Sequence, residues 1–132
     1  MIYADHAATT KISETAKLAM LSAMEKDWYN PSSLYTPGQQ ASGTLMDARV
    51  RIAHCLGCLP KEIYFTSGGS EADNQAILSA AAIGKRQGKI HIISTAFEHH
   101  AVLHTLKKLE KEGFEITLLD VGEKGIVSPA QV

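Results

Sequence analysis

An α/β fold with a mainly parallel sheet and flanking helices is predicted by three observations. Residues 62–119 alternate between short apolar or alternating runs and longer stretches with helical spacing. One short run, residues 90–94, is almost continuously apolar, which suits a strand buried on both faces. The helical stretches stop at glycines, namely Gly57, Gly84 and Gly113. The resulting β-α-β-α-β order forms a parallel sheet with right-handed crossovers.

Taken in order, the first ten residues show no period, and Ala7-Ala8-Thr9-Thr10 reads as a loop. Ser13 caps a helix running to about residue 24, with Ala16, Ala19, Met20, Ala23 and Met24 as one apolar stripe. Asn30-Pro31-Ser32-Ser33 is a turn cluster, and Pro37-Gly38 punctuates the chain again. A second helix over about 39–56 places Ala41, Leu45, Ala48, Ile52 and Leu56 on one face. Residues 62–66 read as a strand, with Ile63 and Phe65 on one side and Tyr64 and Thr66 on the other. A helix over 70–83 turns Ala76, Ile77, Ala80 and Ile83 inward. The strand over 90–94 follows, then a helix over 99–112 carrying Val102, Leu103, Leu106 and Leu109, then a strand over 114–119. Ser128 and Pro129 read as the cap and first residue of a further helix, so a truncated chain is expected.

Composition narrows the class. Apolar residues make up 45% of the 132 and charged residues 20%, proportions of a globular chain rather than a disordered one. Thirteen Lys+Arg against fourteen Asp+Glu leave a formal charge of -1, so there is no general electrostatic grip on nucleic acid or an anionic membrane. No apolar run approaches the roughly 18–20 residues that span a bilayer. The start has neither the basic nor the apolar region of a signal peptide, so a reduced, cytoplasmic compartment is expected.

The segment from Phe65 to Asn74 carries the most chemistry. A strand runs into Gly68-Gly69, and a helix begins at Ser70. Bare backbone N–H groups, the positive end of the helix dipole and the Ser70 hydroxyl together suit a phosphate. The segment has neither the P-loop nor the dinucleotide glycine pattern. A plain tight turn, with Ser70 as cap and Asp73 completing a capping box, accounts for the same residues. Glu71 and Asp73 count against a phosphate unless they point away. Glu98-His99 directly follows a strand, and ligands of open α/β sheets bind beyond the carboxyl ends of strands. With parallel strands, His99 and Ser70 fall on one rim of the sheet, although a structural residue at a helix start accounts for His99 equally well.

Two other patterns have plainer explanations. Cys55-Leu56-Gly57-Cys58 sits at a helix C-terminus, where the dipole has the wrong sign to activate a thiol, so two packed thiols around a glycine cap are expected. His100 and His104 share a helix face, but without a third ligand no metal site is assigned.

With these residues in view, the sequence resembles the cysteine desulfurases of the class V aminotransferase group, which bind pyridoxal phosphate. Five ordered motifs carry the resemblance: Tyr3-Ala4-Asp5-His6-Ala7-Ala8-Thr9-Thr10, Asn30-Pro31-Ser32-Ser33-Leu34, Ala48-Arg49, Phe65 to Asn74, and Glu98-His99-His100-Ala101-Val102-Leu103. Two positions depart from it: His6 stands where the family often has Asn, and Tyr35 where it usually has His.

The resemblance implies a pyridoxal phosphate-dependent transferase fold of type I. Residues 1–132 would be its N-terminal segment and the first part of its cofactor-binding large domain, with no separate domains. It implies that Gly69 and Ser70 bind the cofactor's phosphate. His99 would stack on the pyridine ring and act catalytically as a proton shuttle. It implies L-cysteine as substrate, L-alanine as product, sulfur carried on an enzyme persulfide to an acceptor protein, and a homodimer at full length. Iron–sulfur cluster, thio-cofactor or tRNA biosynthesis would consume the sulfur. The Schiff-base lysine, the pyridine-nitrogen aspartate, the persulfide cysteine and the carboxylate-binding arginine would lie beyond the point matching Val132, leaving this chain inactive alone. Cys55 and Cys58 do not match the persulfide motif. Another class V activity, selenocysteine lyase or aminotransferase, and a non-catalytic phosphate-binding or scaffold module are the alternatives.

Overall fold

A computed structural model describes residues 2–132. The chain divides into two compact units, Met1–Tyr64 and Phe65–Val132.

The first unit is built on two helices. Helix α1, Glu14–Lys26, starts where Ser13 predicts: the Ser13 hydroxyl accepts from the Ala16 N–H at 3.2 Å. Its predicted apolar stripe is not a core, because α1 buries no residue and Met20 and Met24 are exposed. Helical spacing creates a stripe, but burial needs a surface packed on it.

Helix α2, Thr36–Leu56, begins three residues before the predicted start. Pro37 sits in its first turn, where a missing N–H breaks no helical bond. Gly38 is buried and tight: a Cβ there would lie 2.7 Å from Ser33 Cβ and 2.8 Å from the Asn30 and Ser33 carbonyl oxygens. The turn cluster is thus docked onto α2, and Asn30 Oδ1 holds it by accepting from the Ser32 N–H at 2.9 Å. Ala41 is buried as expected, but Leu45, Ile52 and Leu56 are exposed, and Gly38 and Ala53 are buried instead. Gly57 ends the helix at φ 68, with its own N–H bonded to His54 C=O and that of Cys58 to Ala53 C=O. The two thiols are not a packed pair, since Cys55 is exposed and only Cys58 is partly covered.

The strand expected over 62–66 is absent. Pro60–Glu62 forms a single 3-10 turn, and Ile63 follows with extended backbone at φ -92 and ψ 124. Extended residues become a strand only through a ladder, and no neighbour pairs with this stretch among the described residues.

The second unit holds a parallel sheet of two strands, β1 His91–Thr95 and β2 Glu115–Leu119, in register from His91↔Glu115 to Thr95↔Leu119. Helix α3, Gly69–Arg86, precedes β1, and helix α4, His100–Lys111, connects the strands. The core joins Ala81 of α3, Leu109 of α4 and Phe114, with Ile77, Leu78, Ile92 and Ile116 packed around them. Leu106 and Leu109 are buried as expected. On α3 the inward face is rotated: Ala81 is buried, whereas Ala76, Ala80 and Ile83 are exposed. Gly84 does not stop α3. It lies within the helix, where a Cβ would come within 3.0 Å of Lys89 C=O, and the chain reverses at Gly88 instead, at φ 73. Strand β1 is covered on one side only, since Ile93 is 39% exposed. Ser128 precedes a short 3-10 turn, Pro129–Gln131.

Candidate functional site

The two residues placed on one rim by the sequence do meet. Ser70, in the first turn of α3, and His99, the N-cap of α4, line one shallow depression of about 430 Å³ with Asn74, His100, His104, Thr105 and Lys108. The order α3, β1, α4 explains this. It starts α4 beyond the carboxyl end of β1, and α4 packs on α3 so that their first turns adjoin. Two positive dipole ends therefore face the same region, and the start of α3 has no side-chain cap on its first N–H groups.

The glycines ahead of Ser70 are not needed for an unusual backbone. Gly68, the N-cap of α3, is fully extended at φ 168, and Gly69 is the first helical residue. A Cβ on either would meet nothing within 4 Å, so open space lies directly over their backbone. Gly69 is not itself among the residues lining the depression. The expected Ser70 cap with Asp73 is replaced by a different device. Glu71 Oε2 reaches back to accept from the Ser67 hydroxyl at 2.6 Å and the Ser67 N–H at 2.7 Å.

That clamp resolves the objection raised by Glu71. Its carboxylate is committed to Ser67, and the hydroxyl and then the N–H hold its pKa below the ordinary glutamate range. A depressed folded value means the clamp stabilises above the ordinary range and is lost as pH falls through the folded value. A pH titration of the Glu71 carboxyl carbon by NMR is expected to show this lowered midpoint. A midpoint at or above that of an unperturbed glutamate would mean that the clamp does not form.

His99 is held by its own helix. Nδ1 accepts from the Ala101 N–H at 3.1 Å, so in the neutral ring the proton sits on Nε2. The His100 and His104 rings stack at 5.4 Å and 15° on the exposed face of α4. Among the described residues no group of three or more His, Cys, Asp or Glu could hold a metal ion.

The sequence reading missed Asn74 and Thr105. Thr105 is buried, and its hydroxyl lies 2.6 Å from Asn74 Oδ1. One signal was available: Thr105 is a polar residue between Val102 and Leu106 on the apolar face of α4. Asn74 stands four residues after Ser70, one helical turn away.

This chain matches the class V aminotransferase family over residues 2–132 and belongs to it. It is 45% identical over 131 residues to the cysteine desulfurase IscS of Methanosarcina thermophila, covering 99% of this chain and 32% of that protein. It is 40% identical over 134 residues to the cysteine desulfurase IscS of Azotobacter vinelandii, covering 99% and 33%. Among solved structures, one described as SspA in complex with cysteine matches with a TM-score of 0.89 at 35% identity, over 98% of this chain and 37% of that one. DndA from Streptomyces lividans matches with a TM-score of 0.80 at 37% identity, over 96% and 36%. The chain spans about a third of the length of the curated relatives it matches. No helix among the described residues is long and apolar enough to cross a membrane.

Proposed function

We propose that the whole protein is a pyridoxal phosphate-dependent cysteine desulfurase and that this chain supplies its phosphate grip and ring-facing histidine. The observation that carries the reading is the meeting of Ser70 and His99 on one depression at two adjoining helix starts. The names of the curated relatives, both cysteine desulfurases, support desulfurase over other class V activities.

The residues present fit the cofactor. The open space over Gly68 and Gly69, which any Cβ would enter, lets a phosphate approach the backbone, and Ser70 adds a hydroxyl donor. Glu71, turned onto Ser67, does not contest that space with an uncommitted charge. Gly69 and Ser70 would therefore hold the phosphate, and His99 would lie against the ring. Pyridoxal phosphate, when bound, supplies the electron sink for the substrate's α-carbon. The part left to His99 follows from its hydrogen bond: with Nδ1 engaged by Ala101, Nε2 is the atom that holds or moves a proton. A cysteine thiolate of the whole protein would attack the sulfur of L-cysteine, so that the S–S bond of a persulfide forms as the C–S bond breaks. The electron pair of the broken bond and a proton go to the carbon side, alanine leaves, and the outer sulfur passes to an acceptor protein. We further assign the whole protein to a homodimer in the cytoplasm, feeding iron–sulfur cluster or thio-cofactor and tRNA biosynthesis, on the resemblance of the five motifs. Residues 1–132 are assigned to the N-terminal segment and first part of the large domain on the same ground.

The test has two parts. Whole protein supplied with pyridoxal phosphate should release alanine and reducible sulfur from L-cysteine; transamination without sulfur release would overturn the assignment. Ser70→Ala should weaken cofactor binding by about 1.5–3 kcal/mol, the worth of one hydrogen bond to a charged group. Unchanged affinity in equilibrium titration would remove Ser70 from the site.

A further inference from the structure

We propose that Asn74, held by Thr105, is a positioning residue that sets the spacing between the Ser70 hydroxyl and the His99 ring. This rests on the reading of Ser70 and His99 given above. It gives a role to Asn74, the last residue of the Phe65–Asn74 motif, and to Thr105, which lies outside the five motifs.

The geometry is a continuous relay. Asn74 Nδ2 donates to the Ser70 C=O at 2.7 Å and to the Ala101 C=O at 3.4 Å. The N–H of that same Ala101 donates to His99 Nδ1. One carboxamide thus joins the first turn of α3 to the first turn of α4, and the chain of bonds ends on the imidazole. The orientation of the carboxamide is dictated. If its oxygen faced Ser70, two acceptors would lie 2.7 Å apart, so Nδ2 faces Ser70 and Oδ1 faces Thr105. The Thr105 hydroxyl is then the donor to Oδ1 at 2.6 Å, and it also lies 2.8 Å from the Ala101 C=O. Thr105 is 4% exposed, so water cannot substitute for it.

The hydrophobic effect that holds α3 on α4 scales with buried area and is non-directional, so it defines their offset along the axes less sharply than their separation. Hydrogen bonds are directional, and among the described residues those that cross from α3 to α4 all pass through Asn74. Its oxygen and its nitrogen are already engaged, so Asn74 acts through Ser70 and His99.

The test uses two isosteric changes in the whole protein. Asn74→Asp puts an acceptor where the donor to Ser70 stood. Thr105→Val removes the hydroxyl and keeps the shape, while Thr105→Ser keeps the hydroxyl. Cofactor affinity by titration, the visible spectrum of bound pyridoxal phosphate, and kcat and KM for L-cysteine are measured. In cofactor-free protein the ¹⁵N resonances of the His99 ring are followed as well. Asn74→Asp and Thr105→Val are each expected to weaken cofactor binding about tenfold, the equivalent of one buried hydrogen bond. They should also lower kcat more than they raise KM and shift the His99 resonances. Thr105→Ser should resemble the parent. Unchanged affinity, spectrum and His99 resonances in Thr105→Val, with only a lowered unfolding midpoint, would overturn the proposal. That result decides the matter even if Asn74→Asp does not fold. Ser70→Ala and His99→Asn run in parallel separate the two levels. If they perturb the cofactor while Thr105→Val does not, the positioning role alone falls. If they leave the cofactor unperturbed, the reading of the site falls and takes this proposal with it.

Discussion

Replacing His99 by alanine in the whole protein is expected to slow turnover of L-cysteine about 10²–10⁴-fold, the range a positioned acid–base group contributes. Alanine removes two things at once. One is the imidazole, with its proton at Nε2. The other is the N-cap of α4, whose Nδ1 accepts from the Ala101 N–H. Loss of a cap costs about 1 kcal/mol, enough to fray the helix start. His99→Asn separates the two, because an asparagine side chain accepts the same kind of N–H bond but moves no proton near neutral pH. Both variants should lose turnover and shift the spectrum of the bound cofactor, and only the alanine variant should also lose stability. Parent-like turnover and spectrum in His99→Asn would reduce His99 to a helix cap.

The second large effect is on stability. Leu109→Ala should destabilise the Phe65–Val132 unit by about 2–5 kcal/mol, the cost of an unfilled cavity in a packed core. Leu109 is 3% exposed and sits with Ala81 and Phe114 where α3, α4 and the sheet converge. Against a typical net stability of about 5–15 kcal/mol, such a loss is a large fraction. Met24→Ala on α1, where the side chain is 65% exposed, serves as the control and should change stability by no more than about 0.5 kcal/mol. Urea unfolding of both variants checks the pair. Equal midpoints would mean that the convergence around Leu109 is not the core.

What the sequence disclosed was set by how far each interaction reaches along the chain. Ser13 and Gly57 were read correctly because a cap is decided within a few residues. Helix α4 and strands β1 and β2 came within a residue or two, since the strong apolar face of α4 and the short β-branched runs leave little choice. The strand over 62–66 failed because a ladder partner is not a local property. The stripe on α1 failed for the same reason, as spacing does not say what lies opposite. Of the site, Ser70 and His99 were legible from their places just after strand-like runs. Asn74 and Thr105 were not: 31 residues separate them, and only the packing of α3 on α4 brings a carboxamide to a hydroxyl.

The glycines divide in a way that bears on tolerance to mutation. Every coding change at Gly38 introduces a Cβ, and two of the three atoms it would strike are backbone carbonyl oxygens that no rotamer change can move aside. Intolerance at Gly38 is therefore a folding constraint, whatever the protein binds. Gly69 is the reverse case. Its backbone is helical and the space beside it is open, so alanine is sterically free there in the unliganded chain. Selection at Gly69 can act only through whatever comes to fill that space. Variants there should therefore accumulate as well as the parent and differ from it only when the ligand is supplied, whereas variants at Gly38 should be lost before any ligand is encountered.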